Sequence, residues 1–219
     1  MAIQALEHKR QYTSDDLWEW AQLPEYADCQ LELIDGEIVI MSPSSAKPSI
    51  VGAIVLAYLS QFVREHDLGY VSGADGAYEL SLGNTLAPDV AFVAKARLPK
   101  MPDRFFPLAP DLAVEVVSLT DLIKKTQRKA AKYLVAGTKL VLLVYPDDQT
   151  IDVCRPVPEG SPNAMLIEEL TIDGVLDGDE VLPGFRLAVR DVFSLLPETA
   201  ESKPTEAKLK KSKKAKKAK

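Results

Sequence analysis

Between Pro48 and His66 the apolar positions recur three and four residues apart. Ile50, Val51, Ile54, Val55, Tyr58, Leu59, Phe62 and Val63 form one stripe, which predicts a helix with a buried face. Gly69 stands just beyond it as a stop signal. A shorter helix is predicted from Thr13, where Thr13 and Asp16 have the spacing of a capping box. Other segments are short apolar runs of strand length. "LELIDGEIVIM" (31–41) reads as a hairpin around Asp35-Gly36. Further strands are predicted at Tyr70–Val71 and over 77–82, 89–94 and 112–118. After a second helix over about 121–136 comes "KLVLLVY" (139–145), apolar enough to be central and covered on both faces. "TIDVCRP" and "MLIEELTI" form a predicted β-pair, and "LPGFRLAVRDVFSLL" closes the fold with a short helix.

This order is not a strict alternation of strand and helix. It predicts an α/β fold with a mixed central β-sheet flanked by helices. No internal repeat is visible, and 219 residues suffice for one domain with a real core. The division expected is a leader over 1–11, a single domain over 12–196 and a lysine-rich tail over 197–219.

Charge changes the picture at the tail. Lys203 to Lys219 holds nine lysines against Glu206, a net +8, so of the total −6 the rest of the chain carries −14. A stretch with no aromatic residue is expected to be disordered, and to serve either as a phosphate-binding tether or as a solubilising tail. No apolar run is expected to approach the roughly 20 residues of a membrane span, and the polar first residues lack a signal-peptide core. The expectation is a cytoplasmic protein without a membrane partner. Cys29 and Cys154 form no spaced motif, and with only His8 and His66 besides, any metal would be a hard cation on carboxylates.

The chemistry is suggested by ionisable residues in apolar strands. Glu115 sits within "LAVEVVS", on the same face as Ala113 and Val117 and near the strand's carboxyl end. A buried charge there needs a basic partner or a metal. Asp89 follows Pro88 and opens "DVAFVA"; it is either a strand cap or, if the two strands are neighbours, a second carboxylate beside Glu115. Asp111 also follows a proline, but at about 3.4 Å per residue it lies roughly 13 Å from Glu115 and is set aside. On the second helix, Ile123, Ala130 and Leu134 mark the buried arc. Lys124, Lys125, Arg128 and Lys132 lie away from it, while Lys129 borders it, either as one more surface lysine or with its ammonium reaching the sheet.

Pro88-Asp89, then Glu115-Val116-Val117, then a helix bearing Lys129 resemble the PD-(D/E)XK nuclease superfamily. The segments "LELIDGEIVIMSP", "APDVAFV", "PDLAVEVVSLTD", "KAAKYLVAG" and "VLPGFRL" resemble, in order, the bacterial Uma family, grouped with restriction endonucleases. The resemblance covers about residues 12–196. It implies a restriction-endonuclease-like core and a catalytic set of Asp89, Glu115, Lys129 and Glu32. It also implies a metal site of Asp89, Glu115 and the Val116 carbonyl for Mg²⁺, with Mn²⁺ as a substitute. The lysine usually found two residues after the acidic one is replaced by Val117, and Lys129 stands in its place from the helix. The implied activity is hydrolysis of phosphodiesters in double-stranded DNA by a homodimer; the alternative is an inactive nuclease-fold domain that binds or regulates. Where the branch often carries a histidine, this chain reads "SSAKPSIVG".

Overall fold

The computed structural model describes residues 10–118, 123–157 and 164–196. Most of the leader, the predicted start of the second helix at about 121 and the lysine tail lie outside the described residues. The capping box at Thr13 is formed. The Asp16 N–H donates to the Thr13 hydroxyl at 3.2 Å, and the Thr13 N–H donates to the Asp16 carboxylate at 2.8 Å, opening α1 (Ser14–Ala21). Thr13→Ala is therefore expected to lower the unfolding free energy by about 1 kcal/mol in urea denaturation. An unchanged value would mean that the packing of Leu17 alone holds α1 in place.

Next come β1 (Gln30–Ile34) and β2 (Glu37–Met41), paired antiparallel with Leu33 opposite Ile38. Asp35 and Gly36 between them have φ of 52° and 79°, as a two-residue type I′ turn requires. The stripe helix is α2 (Ala46–Glu65). Its inner row Val51, Val55, Leu59 and Val63 is buried, but Ile50 and Tyr58 of the predicted stripe are exposed. The predicted stripe is wider than the buried face: the sheet beneath fully covers the inner row, and Leu56 and Phe62 pack at its edge. By length and hydropathy α2 would qualify as a membrane span, contrary to the expectation that no such run exists. Its inner row packs on a sheet, and Lys47 at its first turn pairs with Asp147.

The chain continues through β3 (Gly69–Gly73) and the hairpin β4 (Tyr78–Ser81) and β5 (Asn84–Leu86). No strand was predicted at β5, since three residues beginning with two polar ones offer no alternation to read. Then follow β6 (Val90–Ala94), β7 (Leu112–Val116), α3 (Ile123–Val135), β8 (Leu140–Tyr145), β9 (Thr150–Pro156) and β10 (Met165–Leu170). A ribbon of β11 (Val175–Asp177) and β12 (Arg186–Ala188) leads into the short α4 (Val189–Val192).

The central sheet has the order β10-β9-β8-β7-β6-β3. Only β7 and β8 are parallel, joined through α3, so the sheet is mixed as predicted. The β1 hairpin does not join it. It forms a second sheet with the other hairpin, in the order β2-β1-β5-β4. The two hairpin turns touch: the Gly36 N–H donates to the Gly83 carbonyl at 2.8 Å, and a Cβ on Gly83 would lie 3.1 Å from the Gly36 nitrogen.

Strand β7 divides the interior. Leu112, Val114 and Val116 face α2 with Val51, Val55, Leu140 and Leu142. Ala113 and Val117 face α3 with Ala130, Tyr133 and Leu134. Alternation therefore sends Glu115 to the α3 side, between the two sheets.

Candidate active site

Three elements deliver carboxylates to that space. On β1 the apolar Leu31 and Leu33 face α1, so Glu32 points the other way and is fully buried. On β7 Glu115 is 8% exposed. Asp89 lies one residue before Val90, which pairs with Val114, so the antiparallel register sets Asp89 opposite Glu115. The Val116 N–H donates to the Asp89 carboxylate at 2.7 Å. Asp89 thus meets the sequence-predicted metal-site residue Val116 through its amide hydrogen, a bond across to the neighbouring strand.

Lys129 reaches in from α3. Its ammonium is 2.8 Å from Glu32 Oε1 and 2.9 Å from Glu115 Oε1. Glu32 Oε1 also accepts the Ala87 N–H at 2.8 Å. The structure therefore brings Asp89, Glu115, Glu32 and Lys129 into one cluster. Asp111 sits at the other end of β7, accepting the Ala94 N–H at 2.9 Å and pairing with Arg97 at 3.0 Å. That is a structural task, and it accounts for the burial of this second aspartate that follows a proline.

Tyr133 completes the cluster and was not picked out from the sequence. Its hydroxyl donates to Glu115 Oε1 at 3.0 Å. The signal was present in the spacing, since Tyr133 is four residues after Lys129 and on the same face of α3. Its aromatic ring counted as core, and the phenol went unconsidered.

The electrostatics are those of too many acids for one base. Burial pushes the Glu115 carboxyl up to about 7, opposed by Lys129 and reinforced by Glu32 and Asp89. Burial works against the Lys129 ammonium, but Glu115 and Glu32 outweigh it and hold the group above the ordinary lysine range. Lys129 thus stays charged at neutral pH and serves as a hydrogen-bond donor and positive charge, not as a base. Burial and the neighbouring carboxylates keep the Tyr133 phenol well above its usual range, so it too remains a donor.

Among the described residues three formal negative charges face one positive charge, an excess of two. Glu32 Oε2 is buried without a hydrogen-bond partner among the described residues. Among those residues no three acidic, histidine or cysteine side chains already form a metal cage. Lys129 bridges two of the acids instead. The donor set nevertheless fits a hard divalent cation: it offers only oxygen, it has a charge excess of two, and one of its buried oxygens is orphaned.

Over residues 17–190 the chain matches the Uma2 family, described as "Putative restriction endonuclease". The chain belongs to this family. The carboxylate and lysine cluster described above is therefore a feature of a Uma2 protein, drawn wholly from within the matched span. A crystal structure described as "a putative nuclease belonging to DUF820 from Anabaena variabilis ATCC 29413" is similar to this chain, with a TM-score of 0.68 and 22% identity. The likeness covers 81% of this chain and 97% of that one. At that identity it speaks for the fold, a mixed sheet flanked by helices. No curated protein matches the chain.

Proposed function

We propose that this Uma2 protein is a metal-dependent endonuclease hydrolysing phosphodiester bonds in double-stranded DNA, acting as a homodimer so that two sites meet two strands. The observation that carries the reading is the buried excess of carboxylate around Lys129. Asp89, Glu115 and the Val116 carbonyl would hold Mg²⁺ or Mn²⁺, with Glu32 beside them. Such a cation polarises the phosphate and lowers the pKa of a bound water.

The chain's own residues have separable tasks. Lys129, held charged by Glu32 and Glu115, donates hydrogen bonds to the attacking water and offsets charge on the phosphate oxygens. Glu32 keeps the ammonium in place from below. Tyr133 fixes one oxygen of the Glu115 carboxylate, and Lys129 donates to the other at 3.0 Å, so the two donors orient the group together. Asp89 is steadied by the Val116 amide, which locks the mutual position of β6 and β7.

Calorimetric titration of Mn²⁺ into the wild type and Asp89→Asn tests this reading, first alone and then with duplex DNA present. Asparagine keeps an oxygen for the Val116 N–H, so the fold is expected to survive. Binding by the wild type and none by Asp89→Asn supports the proposal. No binding by the folded wild type, with or without DNA, overturns it. That result would favour the second reading, a nuclease fold serving as a binding module, which the bridging position of Lys129 also supports.

A further inference from the structure

Helix α3 carries five cations, Lys124, Lys125, Arg128, Lys129 and Lys132, and no acidic residue in its 13 positions. This is unusual in a chain whose body is so acidic. Elsewhere among the described residues most arginines are matched with acids, Arg64 excepted: Arg104 with Asp15, Arg155 with Glu168 and Asp179, Arg186 with Asp177, Arg190 with Asp173. Among the described residues neither Lys124 nor Arg128 has an ion-pair partner.

The outer side of α3 borders an open groove of about 740 Å³. One wall is Lys124, Gln127, Arg128 and Lys132; the other is the pair of hairpin turns, with Asp35 and Asn84. The turn wall is fixed, because the Asp35 N–H donates to Asn84 Oδ1 at 3.1 Å and Gly36 is tied to Gly83. Lys124, Arg128 and Lys132 recur every four residues, about 6 Å apart, and so line the groove as a row about 12 Å long. At 3.4 Å per nucleotide this row spans roughly three to four steps of one strand. The groove adjoins the site. Lys132 pairs with Asp35, while Lys129, three residues earlier, pairs with Glu32 on the strand leading into that turn.

We propose that this groove binds the phosphate backbone of the polynucleotide beside the cleavage site, and that Asp35 acts as a built-in competitor that occupies Lys132 until a phosphate displaces it. The polynucleotide as ligand rests on the nuclease reading. The charge argument for an extended polyanion stands on α3 alone.

The test is the salt dependence of binding of a fluorescein-labelled duplex to the full chain in EDTA, where the tail contributes equally to every variant. Lys124→Ala/Arg128→Ala is expected to bind roughly tenfold or more weakly, with the slope of log K against log salt reduced by about two. Asp35→Asn is expected to bind more tightly, with the slope raised by about one. Asparagine suits the positive φ of 52° at this turn, and misfolding does not produce a gain. Asp67→Asn is the matched control. Asp67 also has φ of 52° and pairs with a lysine, Lys95, but at the α2–β3 turn, and its variant should bind as the wild type does.

An unchanged slope in the double variant, or equal effects of Asp35→Asn and Asp67→Asn, would overturn the groove. So would binding of polyglutamate through the groove by a protein that ignores the duplex. Mn²⁺-dependent cleavage by the wild type with normal binding by the double variant removes the groove and leaves the nuclease. The expected slopes without metal binding or cleavage remove the nuclease and leave a nucleic-acid groove.

Discussion

Lys129→Met is expected to lower the unfolding free energy by about 3–5 kcal/mol at pH 8, the usual cost of leaving buried acid without its base. Methionine keeps most of the side-chain volume, so the loss comes from charge. Glu32 is fully buried and Glu115 nearly so, and both lean on the one ammonium. In the variant Glu115, already pushed up by burial, loses the charge that opposes the shift and is accommodated only by taking up a proton. The deficit should therefore shrink as pH falls toward the ordinary carboxylate range, where the unfolded chain protonates it too. Urea denaturation of both proteins at pH 8 and pH 5 checks this. A deficit equal at the two pH values would show that Lys129 contributes packing and not charge. If the protein cleaves DNA, the same variant should lose about 10²-fold or more in rate.

Glu115→Gln is expected to move stability the other way. Because folding raises the Glu115 carboxyl from an ordinary 4.5 to about 7, the folded state holds that proton more tightly than the unfolded chain. Below about pH 4.5 both states are protonated and the group is neutral in effect. As pH rises from there to 7, stability falls, and above 7 the full penalty of about 3 kcal/mol remains. Glutamine keeps an oxygen for Tyr133 and Lys129 without the charge, and Lys129 still has Glu32 at 2.8 Å. The variant should match the wild type near pH 4.5, exceed it by a few kcal/mol at pH 8, and fail to bind Mn²⁺. A variant less stable than the wild type at pH 8 would show that the attraction to Lys129 outweighs the burial of Glu115. The expected pattern is that of a residue kept for chemistry at the expense of the fold.

The sequence made much of this arrangement legible. Alternation in "LAVEVVS" and the proline before Asp89 exposed two carboxylates in apolar strands, and the helical angle of Lys129 pointed it at them. The capping box and the Asp35-Gly36 turn are encoded by local backbone chemistry and were readable without tertiary information. What was not readable depended on contacts between distant segments. Nothing in "LELIDGEIVIM" says that this hairpin leaves the central sheet and pairs with β5, and so nothing says how Glu32 comes to face Lys129. Tyr133 was hidden because its ring and its hydroxyl answer to different neighbours, the ring to the core and the hydroxyl to Glu115. The exposed side of α2 was misjudged because apolar spacing shows which residues can be buried, not how wide a partner surface will be.

Strand β7 has one further consequence. Its odd positions, Ala113 and Glu115, with Val117 just beyond its end, belong to the cluster side and its even positions to the α2 side. A slip of a single residue in its pairing would thrust Glu115 into the hydrocarbon of α2 and present a valine to Lys129. The strand thus acts as a vernier, in which one displacement ruins two alignments at once. Single-residue insertions or deletions between Asp111 and Val117 should be far less tolerated than any substitution there, because no local repacking can restore both faces together.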